Sequence, residues 1–223
     1  MLTLSALLRL PSFGLLLSLA ALILLEPLAG RLSGAVPVLA ALHLGVLWLA
    51  VRLVASTRDE LTVTRLLAAP TILLNLSSLI VDHPTLAMAD LAMRTVFYAH
   101  VIRCLLAYVL RDTMVTVDEL FAATCAYVLL AMLFACVYTL LEMQSAGSFS
   151  VPAASDSGRA TRWDLLYFSF TVLTSTGFGD IHPLARQAQS VVVIEQVTGV
   201  MYVAILIARL TGMILTPRPP EAR

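Results

Sequence analysis

Between two long apolar stretches of this 223-residue chain lies Thr174-Ser175-Thr176-Gly177-Phe178-Gly179-Asp180, followed by Ile181-His182-Pro183. Hydroxyl residues, two glycines flanking an aromatic ring, and a carboxylate fall within one short run. Glycine tolerates positive φ, so successive carbonyls in such a run can be turned toward a common axis. Carbonyls so arranged, with a hydroxyl oxygen at the inner end, replace the water shell of a dehydrated cation. The same residues admit a second chemistry. Gly177-Phe178-Gly179-Asp180 sets an aspartate among apolar residues, where a second carboxylate could share a proton with it and activate water. The candidate partners Asp82, Asp90 and Asp118 stand near helix ends.

Other chemistry-bearing side chains lie inside apolar segments. Glu195 is an acid within the last long stretch, and intramembrane acids are functional candidates by default. It is expected either to draw cations toward the 174–180 segment, or to bond to the back of the short helix that precedes that segment or to a neighbouring helix. Glu142 is expected to be an interfacial structural acid. Arg94, Phe97, His100 and Arg103 recur every third residue, as in a voltage-sensing helix, but Leu106 and Val109 break the series. Arg94 is expected to pair with Asp90 at i,i+4 and to snorkel outward. The second helix offers His43 and Arg52 but no acid to pair with a sensor arginine. His100 is a titratable candidate for pH sensing. Cys104, Cys125 and Cys136 sit in apolar runs without metal-ligand spacing, and they read as small hydrophobes.

The elements that must position these residues follow from composition. The chain is 60% hydrophobic and 13% charged, far less polar than a soluble domain. Its 14 basic and 14 acidic residues balance, which gives no sign of a nucleic-acid partner. All the basic residues are arginine, read as the coding bias of a GC-rich bacterium. A membrane helix needs about 20 largely apolar residues. Six segments are expected to span: Ser12–Leu28, Ala35–Val54, Leu66–Val81 (with Pro70 obscuring its start), Ala87–Leu110, Leu120–Leu141 and Gln189–Leu215. The first is read as a membrane helix and not a signal peptide.

Met143–Thr161 reads as an external loop. Trp163–Leu173 is apolar but too short to span, and Thr161 with Asp164 forms a capping box before it. Residues 162–173 are therefore expected to re-enter the membrane halfway, with the following non-helical segment lining a cavity. With both termini inside, the cytoplasmic side carries Arg9, Arg52, Arg58, Arg65, Arg111, Arg209, Arg218 and Arg223. The outer side carries Arg31, Arg159, Arg162 and Arg186. That bias satisfies the positive-inside rule and puts residues 174–180 near the outer face.

Residues 118–215 resemble the pore module of the potassium channel superfamily, in the order outer helix, turret loop, pore helix, selectivity filter, inner helix. The whole chain resembles the six-helix members, which are homotetramers. The resemblance implies an all-α membrane protein: residues 1–112 a four-helix sensor-like domain, 113–215 the pore domain, and 216–223 a short cytoplasmic tail with no soluble ligand-binding domain. It implies that Thr174, Ser175, Thr176, Gly177, Phe178 and Gly179 bind permeant potassium, with Asp180 at the outer mouth. Asp164, Tyr167, Phe168 and Thr171 would belong to the pore helix. Gly199 would be the inner-helix hinge, or else a close-packing glycine. Val203, Ile207 and Thr211 would line the cavity or gate. Arg94, His100 and Arg103 would be a sensor remnant. No enzyme activity and no cofactor are implied, and the partners are lipid and further copies of the chain in a bacterial inner membrane.

Most family members have Thr-Val-Gly-Tyr-Gly-Asp where this chain has Ser175-Thr176-Gly177-Phe178-Gly179-Asp180. The Thr176 hydroxyl needs a partner, and Thr171 and Thr174 are candidates. Phe178 lacks the tyrosine hydroxyl, and Tyr167-Phe168 replaces the common tryptophan pair. A filter braced more by packing than by hydrogen bonds is expected. A non-selective monovalent cation channel is the alternative. The Gly-x-Gly-Asp motif of intramembrane aspartyl proteases is a more distant one.

Overall fold

The computed structural model describes residues 10–28, 35–54, 58–77, 80–81, 83–111, 116–151 and 159–215. Asp82, Arg9, Arg31, Arg218, Arg223, the middle of the loop expected to be external (152–158) and the tail expected at 216–223 lie outside them.

The described chain is helical almost throughout. Helix α1 (Pro11–Leu25) opens with proline at its first position, where the missing N–H costs nothing, and passes into a 3₁₀ turn at Glu26–Leu28. Helices α2 (Ala35–Val54), α3 (Arg58–Ser77) and α4 (Pro84–Arg111) follow. Helix α5 (Val117–Gln144) begins at a capping box in which Thr116 Oγ1 accepts from Glu119 N at 3.3 Å. Glu119 in turn accepts from Thr116 N at 3.1 Å. The short helix α6 (Arg162–Leu173) starts at the expected box. Thr161 Oγ1 accepts from Asp164 N at 3.2 Å, and Asp164 Oδ2 accepts from Thr161 N at 2.8 Å. Helix α7 (Arg186–Leu215) ends the described chain.

By length and composition, Pro84–Arg111, Val117–Gln144 and Arg186–Thr211 are apolar enough to cross a membrane. Pro11–Leu25 and Val38–Leu53 are shorter apolar helices. The third segment needs correcting. Helix α3 begins at Arg58 rather than Leu66, runs through Pro70 and stops at Ser77 rather than Val81. Its first two turns carry Arg58, Asp59, Glu60 and Arg65, so an apolar window finds only its second half. The expected loop at Met143–Thr161 also gains structure. Phe149–Ser150 (β1) pairs antiparallel with His182–Pro183 (β2), which lie beyond the 174–180 segment.

Helix α5 is the central element. Helices α1, α4, α6 and α7 all pack against it. Ser12 fixes α1 there by donating its N–H and hydroxyl to Asp118, at 3.2 and 3.0 Å. Helix α7 presents one inward stripe, Ala188, Val192, Glu195, Gly199, Tyr202 and Leu206, at alternating spacings of four and three. Its other faces leave Val193, Ile194, Val197, Val200, Met201 and Ile205 exposed.

Candidate ion-binding site

Helix α6 has 12 residues, a length of about 18 Å at 1.5 Å per residue, roughly half the thickness of a bilayer core. Leu165, Phe168, Ser169, Val172 and Leu173 are buried. Tyr138, Phe149 and Phe168 form an aromatic cluster behind it, with ring centroids 5.2–5.7 Å apart. Such pairs add to stability beyond the area they bury.

At its C-terminus the backbone doubles back on the helix. Thr174 N donates to Phe170 O at 3.1 Å and Ser175 N to Val172 O at 2.9 Å. Thr176 N and Gly177 N both donate to Thr171 O, at 2.9 and 3.2 Å. The N–H groups of 174–177 thus satisfy carbonyls that a helix end otherwise leaves open. Positive φ recurs at alternate residues, Ser175 (56°), Gly177 (56°) and Gly179 (78°), and not at Thr176 or Phe178 between them. This alternation turns successive carbonyls to one side. Among the described residues no hydrogen bond is directed at the carbonyls of 175–178. Every residue from Thr174 to Asp180 is exposed, between a buried Leu173 and a buried Ile181.

The supports of the segment combine ring stacking with a few hydrogen bonds. The Phe178 ring stacks on Tyr167 at 6.2 Å and 2°, and Asp180 Oδ1 accepts from Ile181 N at 3.0 Å. The Thr176 hydroxyl meets Thr174 Oγ1 at 2.7 Å. Thr171 instead donates to Phe168 O at 2.8 Å. Below the segment, the Tyr127 hydroxyl of α5 donates to Leu173 O at 3.0 Å. Beyond it, the β1–β2 pair ties the chain to the loop that follows α5, whose turn is held by Glu142. That carboxylate accepts from Gly147 N and Phe149 N at 2.8 and 3.2 Å, in line with its expected structural role.

Helix α7 approaches the base of the segment at Gly199. A Cβ there would stand 2.2 Å from Leu173 O and 3.0 Å from Leu173 C. Close packing is therefore a geometric requirement at this position. One turn earlier, Glu195 is fully buried and bonds to Tyr138 of α5 and Ser169 of α6. It faces the back of α6, the second of its two expected roles. Val203, Ile207 and Thr211 continue from Gly199 as an exposed stripe.

The sequence singled out the 174–180 segment and the helix before it but gave no weight to Tyr127, Tyr138 or Ser169. Each is a polar side chain in an apolar helix, the signal that was available.

The sensor-like residues are dispersed. Arg94 is locked to Asp90, with Nη2 to Oδ2 at 2.7 Å and Nε to Oδ1 at 3.0 Å. Both are buried, so Arg94 does not snorkel outward as expected. His100 meets Thr64 Oγ1 at 2.9 Å. Arg103 is exposed and reaches Cys104 Sγ at 3.3 Å. Of the acids named as partners for a protease, Asp90 is engaged by Arg94 and Asp118 by Ser12 and Tyr108, while Asp82 lies outside the described residues. Among the described residues no group of His, Cys, Asp and Glu could hold a metal ion.

No curated protein and no solved structure matches the chain. Residues 120–216 match a family model described as an ion channel. This stretch takes in most of α5, all of α6, the alternating segment and α7, and over it the chain is similar to ion channels.

Proposed function

We propose that the chain is one subunit of a homotetrameric potassium channel in a bacterial inner membrane. Six helices cross the bilayer, α6 re-enters as a pore helix, and both termini are cytoplasmic. Residues 1–112 form the peripheral domain and 113–215 the pore. Carbonyls of Ser175, Thr176, Gly177 and Phe178, with the Ser175 hydroxyl innermost, replace the hydration shell of potassium. Ions pass in single file and leave because neighbouring ions repel. The C-terminal end of α6 points at the cavity, where its negative dipole end favours a cation.

The observation that carries this reading is the alternation of positive φ at Ser175, Gly177 and Gly179, with the N–H groups of 174–177 turned back on α6. Irregular backbone at membrane depth is stable only against protein or a water-filled cavity. An exposed segment of this kind needs other copies around it, and cyclic symmetry supplies them. Voltage sensing is weak or absent. Arg94 is held by a buried carboxylate, and moving one further charge is worth about 2.3 kcal/mol per 100 mV.

The test is purified protein in a planar bilayer with potassium on one side and sodium on the other. A reversal potential at the potassium equilibrium value is expected. A reversal near zero with robust current would favour the non-selective alternative, which Thr176 and Phe178 raise. Proteolysis dependent on Asp180 and without current would overturn the reading.

A further inference from the structure

Behind the 174–180 segment, three oxygen-to-oxygen contacts form a chain through α5, α6 and α7. The Tyr138 hydroxyl meets Glu195 Oε2. The Ser169 hydroxyl meets Glu195 Oε1. The same Ser169 Oγ meets Ala131 O at 2.8 Å. All three side chains are buried.

A hydrogen bond needs one hydrogen, and each hydroxyl has one to give. If Glu195 were a carboxylate, Tyr138 and Ser169 would supply two hydrogens for three contacts. Ser169 would have to choose between the Ala131 carbonyl and Glu195. The losing contact would set two acceptor lone pairs against each other in a dry site, where an unmade bond is costly. If Glu195 carries a proton, the count closes. Its own O–H donates to Ser169 Oγ, Ser169 donates to Ala131 O, and Tyr138 donates to Oε2. A fully buried carboxylate would also want a compensating cation. Among the described residues no basic group acts on Glu195. The titratable side chains facing it are Tyr138 and Tyr127, both from α5.

We propose that Glu195 is held as the neutral carboxylic acid, and that the relay Glu195 to Ser169 to Ala131 O positions α6 behind the filter. Ser169 lies in the third turn of α6, five residues before Thr174, and Glu195 one turn before Gly199 on the same stripe of α7. The relay and the Gly199 contact therefore hold successive turns of α6 against α7. Glu195 touches no ion and is a positioning residue. Loss of its proton at alkaline pH removes the hydrogen that Ser169 receives and leaves a bare charge at the back of the filter. Conduction should then fall as pH rises.

The functional half of this proposal rests on the channel reading; the protonation half does not. The experiment is therefore paired, on the full-length protein in liposomes. Infrared spectra of wild type and Glu195→Gln at neutral pH are subtracted. A protonated-carboxyl C=O band present in wild type and lost in Glu195→Gln is expected, because glutamine has no carboxyl group while its amide N–H keeps the relay intact. Absence of that band overturns the proposal.

Potassium flux is then read across pH for wild type, Glu195→Gln and Glu195→Ala. Glu195→Gln should match wild type within about twofold at neutral pH and lose the alkaline decline. Glu195→Ala should lose about tenfold or more, the scale of one buried bond left unmade. A glutamine variant as impaired as alanine, or one that keeps the alkaline decline, overturns the positioning role. If Glu195→Ala does not fold, the glutamine arm decides alone. If wild type itself does not conduct, the channel reading fails while the infrared result still decides the state of Glu195.

Discussion

Replacing Gly199 with alanine separates packing from hinging by the sign of a stability change. A Cβ at this position stands 2.2 Å from the Leu173 carbonyl oxygen, and an ordinary contact lies near about 3.5 Å. Helix α7 or the end of α6 must therefore retreat by about 1 Å. Overpacking of this kind costs about 1–3 kcal/mol. The retreat also strains the Tyr127 bond to Leu173 O and the Glu195 bond to Ser169, each worth about 1 kcal/mol net. Against this, alanine favours a helix over glycine by up to about 1 kcal/mol. The net expectation is a loss of about 2–3 kcal/mol. Because the obstructing atom is backbone, Leu173→Ala relieves the Cδ1 contact at 3.1 Å and should not rescue the variant.

The assay is thermal dissociation of the purified assembly in detergent, together with the potassium-against-sodium reversal potential of whatever reconstitutes. Gly199→Ala should melt earlier and conduct with weakened selectivity, since Leu173 immediately precedes the proposed filter. A glycine that served only as a hinge would give the opposite result. Alanine would then stabilise the protein slightly, leave selectivity intact and lower only the fraction of time the pore is open. A variant as stable and selective as wild type would refute the close-packing argument.

Four other outcomes are expected. Gly177→Ala forces a side chain onto φ 56°, which costs about 1–2 kcal/mol. A Cβ there meets nothing within the chain, so current should vanish while assembly on a sizing column persists. Ser175→Ala keeps the backbone but removes the innermost hydroxyl, so half-saturating potassium for conductance should rise with little change in stability. Arg94→Gln strands a buried Asp90 and should destabilise by about 3–5 kcal/mol. Adding Asp90→Asn should recover most of that in a melting curve, and the double variant should leave any voltage dependence nearly unchanged. Cysteine placed at Val203 or Ile207 should react with a water-soluble thiol reagent in liposomes, while Cys125, at 0% exposure, stays silent.

What could be read from the sequence depended on how local its cause was. The limits of α6 were legible because a capping box and the end of an apolar run are both written within a few residues. Thr174, as partner of Thr176, was likewise within reach of spacing alone. The start of α3 was missed because its first turns are charged and an apolar window cannot see them. The burial of the Asp90–Arg94 pair was missed because i,i+4 spacing predicts the bond but not what packs over it. The two readings of Gly199 and of Glu195 could not be separated in sequence. Both depend on which carbonyl and which hydroxyl another helix brings opposite them, a matter of tertiary packing between segments some 26 residues apart for Ser169 and Glu195.

The burial pattern around the site runs opposite to that of a protein complete as one chain. Residues with polar backbone work to do, Thr174 to Asp180, are exposed, while an acid, a serine and a tyrosine lie buried behind them. Helix α7 uses one narrow stripe to grip α5 and α6 and leaves apolar side chains on its remaining faces. Lipid can cover those apolar faces, since hydrocarbon is no less apolar than leucine. It cannot cover the carbonyls of 175–178, which would lose hydrogen bonding with nothing in return. On the proposed reading, the 174–180 segment, rather than the apolar surface, is therefore what makes the single chain incomplete. The buried relay and the Gly199 contact serve to hold that segment in shape before any neighbouring copy arrives.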